Sequence, residues 1–122
     1  MKLMDACGGV AATRHARSNV VTVRVDELVF YQPIQVGQLV ICQAELVFVG
    51  RTSMEVRVTV FVEDLMCDHS RKTALTAYFT YVALDENSKP TPVQELQLKT
   101  PDEEEAFELG RQRYKEHKKK TV

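Results

Sequence analysis

With 122 residues and a net charge of −1, the chain has length for one hydrophobic core and no general pull toward nucleic acid or acidic membranes. Hydrophobic residues make up 44% and charged residues 27%, which is ordinary globular usage, and no apolar run approaches the ~20 residues of a membrane helix. The three cysteines, Cys7, Cys42 and Cys67, form no CxxC pair and have no histidine at metal-ligand spacing. The reading is a cytoplasmic, reducing setting without zinc, and MKLMDACGGV lacks the basic and apolar regions of a signal peptide.

Residues 1–18 favour helix, although Gly8-Gly9 costs about 1 kcal/mol per glycine in a helix interior. At helical spacing Met4, Cys7 and Ala11 share one stripe. Asp5 shares another with Gly9, Ala12 and Ala16, so the segment's one acid faces a surface of small residues suited to close approach. From Val20 the period becomes two, with Val21, Val23 and Val25 alternating with Thr22, Arg24 and Asp26, which predicts a strand over 20–30. Pro33 and Gly37 mark a connection before a second strand over 39–49, and Gly50-Arg51-Thr52 turns the chain.

The next strand alternates most cleanly, with Met54, Val56, Val58, Val60 and Val62 on the face that must be core. Residues 64–70 read as a loop, and Arg71 to Leu84 as a long strand with two usable faces. Asp85 to Pro92 is turn-forming and Val93–Leu98 merely connects. Thr100-Pro101-Asp102-Glu103 offers a cap, a proline at the first helical position and first-turn acids, predicting a helix over 101–119. That helix is thinly apolar, so the expectation is edge packing through Phe107 and little else. Its end, residues 111–122, carries six of the sixteen basic residues and one acid, a pattern read as a solvated helix end or a frayed tail. Connections this short cannot make parallel crossovers, so the fold class is α+β, an antiparallel sheet wrapped on the first helix, in one domain spanning 1–122 with its core at 1–98.

The segments MKLMDACGGVAATRHA, VVTVRVDELVFYQPIQVGQLV, VFVGRTSMEV and FTYVALDENSKPTPV, in this order and spacing, resemble the hot-dog-fold acyl-CoA thioesterases of the cytosolic long-chain acyl-CoA thioester hydrolase type. The resemblance covers about residues 1–95 and implies hydrolysis of fatty acyl-CoA to free acid and CoA without metal or organic cofactor. It maps the family's M-D-x-A acid onto Asp5. It also implies sheets paired between subunits, active sites between them, and assembly as a trimer of dimers.

An aspartate is ionised at neutral pH, so Asp5 can serve as general base toward water or attack the thioester carbonyl directly, and backbone N–H groups at a helix N-terminus suit the oxyanion. The plain alternative is an acid that steadies the helix dipole by about 0.3–1 kcal/mol. The resemblance assigns Gly50, Arg51, Thr52 and Ser53 to CoA, with Arg51 on its phosphates; the alternative is a hairpin with an exposed arginine. His15, His69 and His117 lack matched partners and read as structural or exposed, and Cys7 as a small buried filler. Family members normally carry a strand and an F-G-G type turn just before the M-D motif. With Met1 only four residues ahead of Asp5, the expectation is that the first strand is missing and activity impaired. The competing reading is therefore a CoA or acyl-CoA binding module that hydrolyses nothing; a hot-dog hydratase would need a placed histidine and ranks last.

Overall fold

The structure, a computed structural model, describes residues 2–64 and 71–120, the side chains of 117–120 excepted. The expected order is present: α1 (Lys2–Ala16), β1 (Asn19–Phe30), β2 (Gln38–Val49), β3 (Ser53–Asp64), β4 (Arg71–Leu84) and α2 (Pro101–Lys120). The four strands form one antiparallel sheet in the order β1-β4-β3-β2, and α1 touches all four, as an antiparallel sheet curled around a helix requires. Between β1 and β2, Gly37 adopts φ 93, a backbone conformation that favours glycine. Residues 93–98 belong to no helix or strand, as expected of a connector. Cys67 and His69 lie outside the described residues, as does most of the predicted 64–70 loop. Among the described residues no helix is long and apolar enough to cross a membrane.

The alternation in β3 and β4 does what its period dictates. Met54, Val56, Val58, Val60 and Val62 are buried on the inner face beside Leu75, Ala77, Phe79, Tyr81 and Ala83 of β4. Each large apolar side chain so buried contributes roughly 1.5–3 kcal/mol. Met4, Gly8 and Ala12 form the buried stripe of α1, with Cys7 and Ala11 half-buried at its side. This corrects the expected role of the Asp5–Gly9 stripe: the close approach is at Gly8, where an added Cβ would stand 2.6 Å from the Tyr81 hydroxyl and 3.2 Å from Val58.

The predicted strand over 20–30 is present as β1, with a bulge between Thr22 and Arg24 that leaves Val21 opposite Val82 and Val25 opposite Phe79, on opposite faces of the sheet. Val21, Val23 and Val25 are 44%, 56% and 38% exposed on this edge strand. One further expectation is overturned: α2 does not rest on Phe107 alone. It packs on edge strand β2, as expected, but there Phe48 meets both Phe107 and Tyr114, with ring centroids 5.0 and 5.5 Å apart. A bulge between Leu46 and Phe48 sends Phe48 outward opposite Glu55, and Gly110 lets the helix backbone settle on it; a Cβ there would stand 2.6 Å from that of Phe48.

The basic end of α2 is also not wholly solvated. Arg113 Nε donates to Glu55 Oε1 at 2.8 Å, its Nη2 reaches the same oxygen, and its guanidinium lies 3.9 Å from the centroid of the Tyr78 ring. Burial pushes the Glu55 carboxyl above its ordinary range and outweighs the opposing guanidinium. At Arg113 the balance reverses: burial works against the charge, but the bond it donates to Glu55 holds the guanidinium more firmly protonated. Thr100 caps the helix start by accepting from the Glu103 N–H at 3.2 Å, as its sequence predicts.

Candidate active site

Asp5 sits in the first turn of α1 with its side chain exposed. Its Oδ1 accepts from the Thr22 hydroxyl at 2.6 Å, and the Tyr81 hydroxyl lies 3.0 Å from Oδ1 and 2.9 Å from the Asp5 carbonyl. Both donors fall on Oδ1, and among the described residues none donates to Oδ2. Thr22 and Tyr81 are register partners in β1 and β4. The carboxylate is thus held by three elements, one helix and two strands. Burial first, then the bond to Asp5, raises the Tyr81 hydroxyl above its ordinary range, so it remains a proton donor across the physiological range.

Sequence reading singled out Asp5 but neither of its hydrogen-bond partners. Thr22 was the polar member of an alternating pair, and only the bulge after it reveals which side of the sheet it serves. Tyr81 lies in the strand read as having two usable faces, and its hydroxyl carried no separate signal.

The Gly50–Ser53 turn lies at the same end of the sheet, since Met54, the residue after Ser53, is paired with Tyr81. The turn is tied down by its backbone: Gly50 N–H donates to the Ser53 carbonyl at 2.8 Å, Ala83 N–H to Thr52 at 3.0 Å, and Val93 N–H to Arg51 at 2.8 Å. These bonds fix the loop and leave the Arg51 side chain exposed. His15 is structural, its Nε2 donating to the Gln94 carbonyl at 2.7 Å. The His117 side chain lies outside the described residues. Two cavities of about 740 and 690 Å³ open elsewhere, beside Arg17, Asn19 and Asn87 and beneath α2 at Arg57 and Tyr78. Neither is lined by Asp5, whose surroundings in one copy of the chain are an open surface.

Known proteins share this sequence and fold. The cytosolic acyl coenzyme A thioester hydrolase of Rattus norvegicus is 39% identical over 122 residues, a match covering 98% of this chain; the chain spans only 32% of that relative's length. An apo-hexameric acyl-CoA thioesterase superposes with a TM-score of 0.90 at 31% identity, covering 99% of this chain and 77% of that one. The acyl-CoA hydrolase from Staphylococcus aureus, solved with butyryl coenzyme A and coenzyme A, superposes with a TM-score of 0.88 at 29% identity, covering 99% and 73%. Alanine variants of the same enzyme, one at an aspartate and one at a threonine, have also been solved. The family model of the thioesterase superfamily matches residues 1–68, from α1 through β3 and so through both Asp5 and the Gly50–Ser53 turn. Sequence and fold thus converge, and the chain belongs to the thioesterase superfamily.

Proposed function

We propose that the chain is an acyl-CoA thioester hydrolase, one hot-dog domain over residues 1–122 that releases free acid and CoA from medium- and long-chain fatty acyl-CoA. The observation that carries this reading is the Asp5 carboxylate, exposed and gripped on one oxygen by Thr22 and Tyr81 beside the Gly50–Ser53 turn. Its spacing adds support. Asp5 and Thr22 are 17 positions apart, and the aspartate and threonine replaced in the Staphylococcus aureus enzyme are separated by the same 17.

In this reading Oδ2 either takes a proton from the attacking water or attacks the thioester carbonyl itself, while the two hydroxyls hold Oδ1 still. The oxyanion meets first-turn N–H groups of α1, which no helix satisfies internally. Gly50, Arg51, Thr52 and Ser53 receive CoA, with Arg51 on its phosphates. The thiolate leaves readily, and the chemistry asks for no metal or organic cofactor.

The open surface around Asp5 acquires walls when a second copy joins. Strand β1 has no neighbour on its outer side among the described residues, and Val23, Phe30 and Tyr31 along and beyond it are more than half exposed. Pairing there gives a homodimer, and dimers assemble to a hexamer as in the hexameric relative. The location is cytoplasmic, like that of the cytosolic rat relative.

The experiment is thiol release from a series of acyl-CoA chain lengths up to palmitoyl-CoA, with CoA binding measured in parallel. Turnover that rises toward medium and long chains supports the reading. Saturable CoA binding without thiol release overturns it in favour of an impaired binding module.

A further inference from the structure

The two described cysteines come from distant parts of the chain and meet at the seam between helix and sheet. Cys7 lies on the half-buried flank of α1, and Cys42 on the inner face of β2, opposite Val60. The Cys7 thiol donates to the backbone carbonyl of Cys42 at 3.5 Å. Both are free thiols and neither is fully enclosed. Residues 35 positions apart are thereby brought within one side chain's reach. A disulfide between them brings the two sulfurs to ~2.0 Å.

We propose that Cys7 and Cys42 are a redox pair that closes to a disulfide when a peroxide reaches the seam, tethering α1 to β2. Burial, and then the influence of the neighbouring Cys7, pushes the Cys42 thiol up to about 12, so Cys42 stays protonated and serves as the second sulfur of the pair. The Cys7 thiolate attacks one oxygen of hydrogen peroxide, the O–O bond breaks and hydroxide leaves, giving a sulfenic acid. The Cys42 sulfur then attacks the Cys7 sulfur, the S–O bond breaks, and water departs with the Cys42 proton. The proton that Cys7 gave up on ionising joins the hydroxide, so the two thiols lose two electrons and the peroxide is reduced to two waters. A dithiol reductant reverses the bond by exchange.

The tether fixes the turn of α1 that carries Asp5, two residues from Cys7, against the edge strand β2. Its formation does not depend on the proposed hydrolase activity.

The test treats the full reduced chain with hydrogen peroxide, alkylates the remaining thiols, and maps the digest without reductant. The expected result is one intramolecular peptide pair joining Cys7 to Cys42, an intact mass lower by two hydrogens, a higher melting temperature, and full reversal by dithiothreitol. The same pair is expected in a Cys67→Ser variant and is lost in Cys42→Ser. Oxidation of the wild-type chain that stops at a sulfinic acid on Cys7, or that joins Cys67 instead, overturns the proposal without relying on any variant's folding.

Discussion

The Tyr81 hydroxyl stands 2.6 Å from where a side chain at Gly8 would begin, so the absence of a Cβ at Gly8 is what lets α1 settle on the tyrosine that holds Asp5. Gly8→Ala gains about 1 kcal/mol of helix propensity but overpacks a buried site, which costs about 1–3 kcal/mol. Lower thermal stability together with lower thiol release from palmitoyl-CoA is expected. A variant stabilised by its better helix former, with full turnover, contradicts the close-approach account.

Tyr81 also sets an alkaline limit. Its folded-state pKa lies above the ordinary 10.0, because of burial and then its bond to Asp5. A group raised in this way contributes stability that is complete below its unfolded value and is lost as pH rises through the folded one. At neutral pH, Tyr81→Phe should cost about 1.5–3 kcal/mol, the worth of a hydrogen bond to a charged group. Above pH 10.0 that difference should shrink, as read by denaturant unfolding of both proteins; a difference that does not change with pH contradicts it.

Thr22 acts through Asp5. Thr22→Ala removes the 2.6 Å bond and should lower kcat by roughly tenfold to a hundredfold, while Thr22→Ser keeps the hydroxyl and most of the rate. Equal losses in both variants would assign Thr22 to packing alone.

Outside the site, Arg113→Ala leaves the Glu55 carboxylate without its guanidinium, the two side chains being 13% and 6% exposed. Breaking such a pair costs about 3–5 kcal/mol. Glu55 already binds its proton more tightly than an ordinary carboxylate, and losing Arg113 strengthens that tendency. Stability from an acid raised in this way is present at low pH and lost as pH rises, so the deficit should be largest at neutral pH and shrink toward pH 4.5. Urea melts at both pH values measure it, and a constant deficit contradicts the assignment.

These relationships mark where sequence reading succeeds and where it stops. Strict period-two alternation fixed the inner faces of β3 and β4, because one buried face admits one register, and the Thr100-Pro101 cap located α2. At β1 alternation located the strand but not the bulge between Thr22 and Arg24, so it could not say which side of the sheet Thr22 serves. Composition failed at α2, where Arg113 in a lysine-rich segment finds a buried carboxylate 58 residues away, a partnership that no local pattern encodes. Asp5 was legible only through family resemblance; its position in a first helical turn is equally that of a dipole-stabilising acid.

The central claim is that the Asp5 carboxylate does the chemistry, and the most direct test is thiol release from palmitoyl-CoA by the wild-type chain and Asp5→Asn, with the assembly of each recorded by sedimentation. The account predicts a fall in kcat of about 10²–10⁴-fold at unchanged assembly. Equal turnover by the two proteins at equal assembly would contradict it.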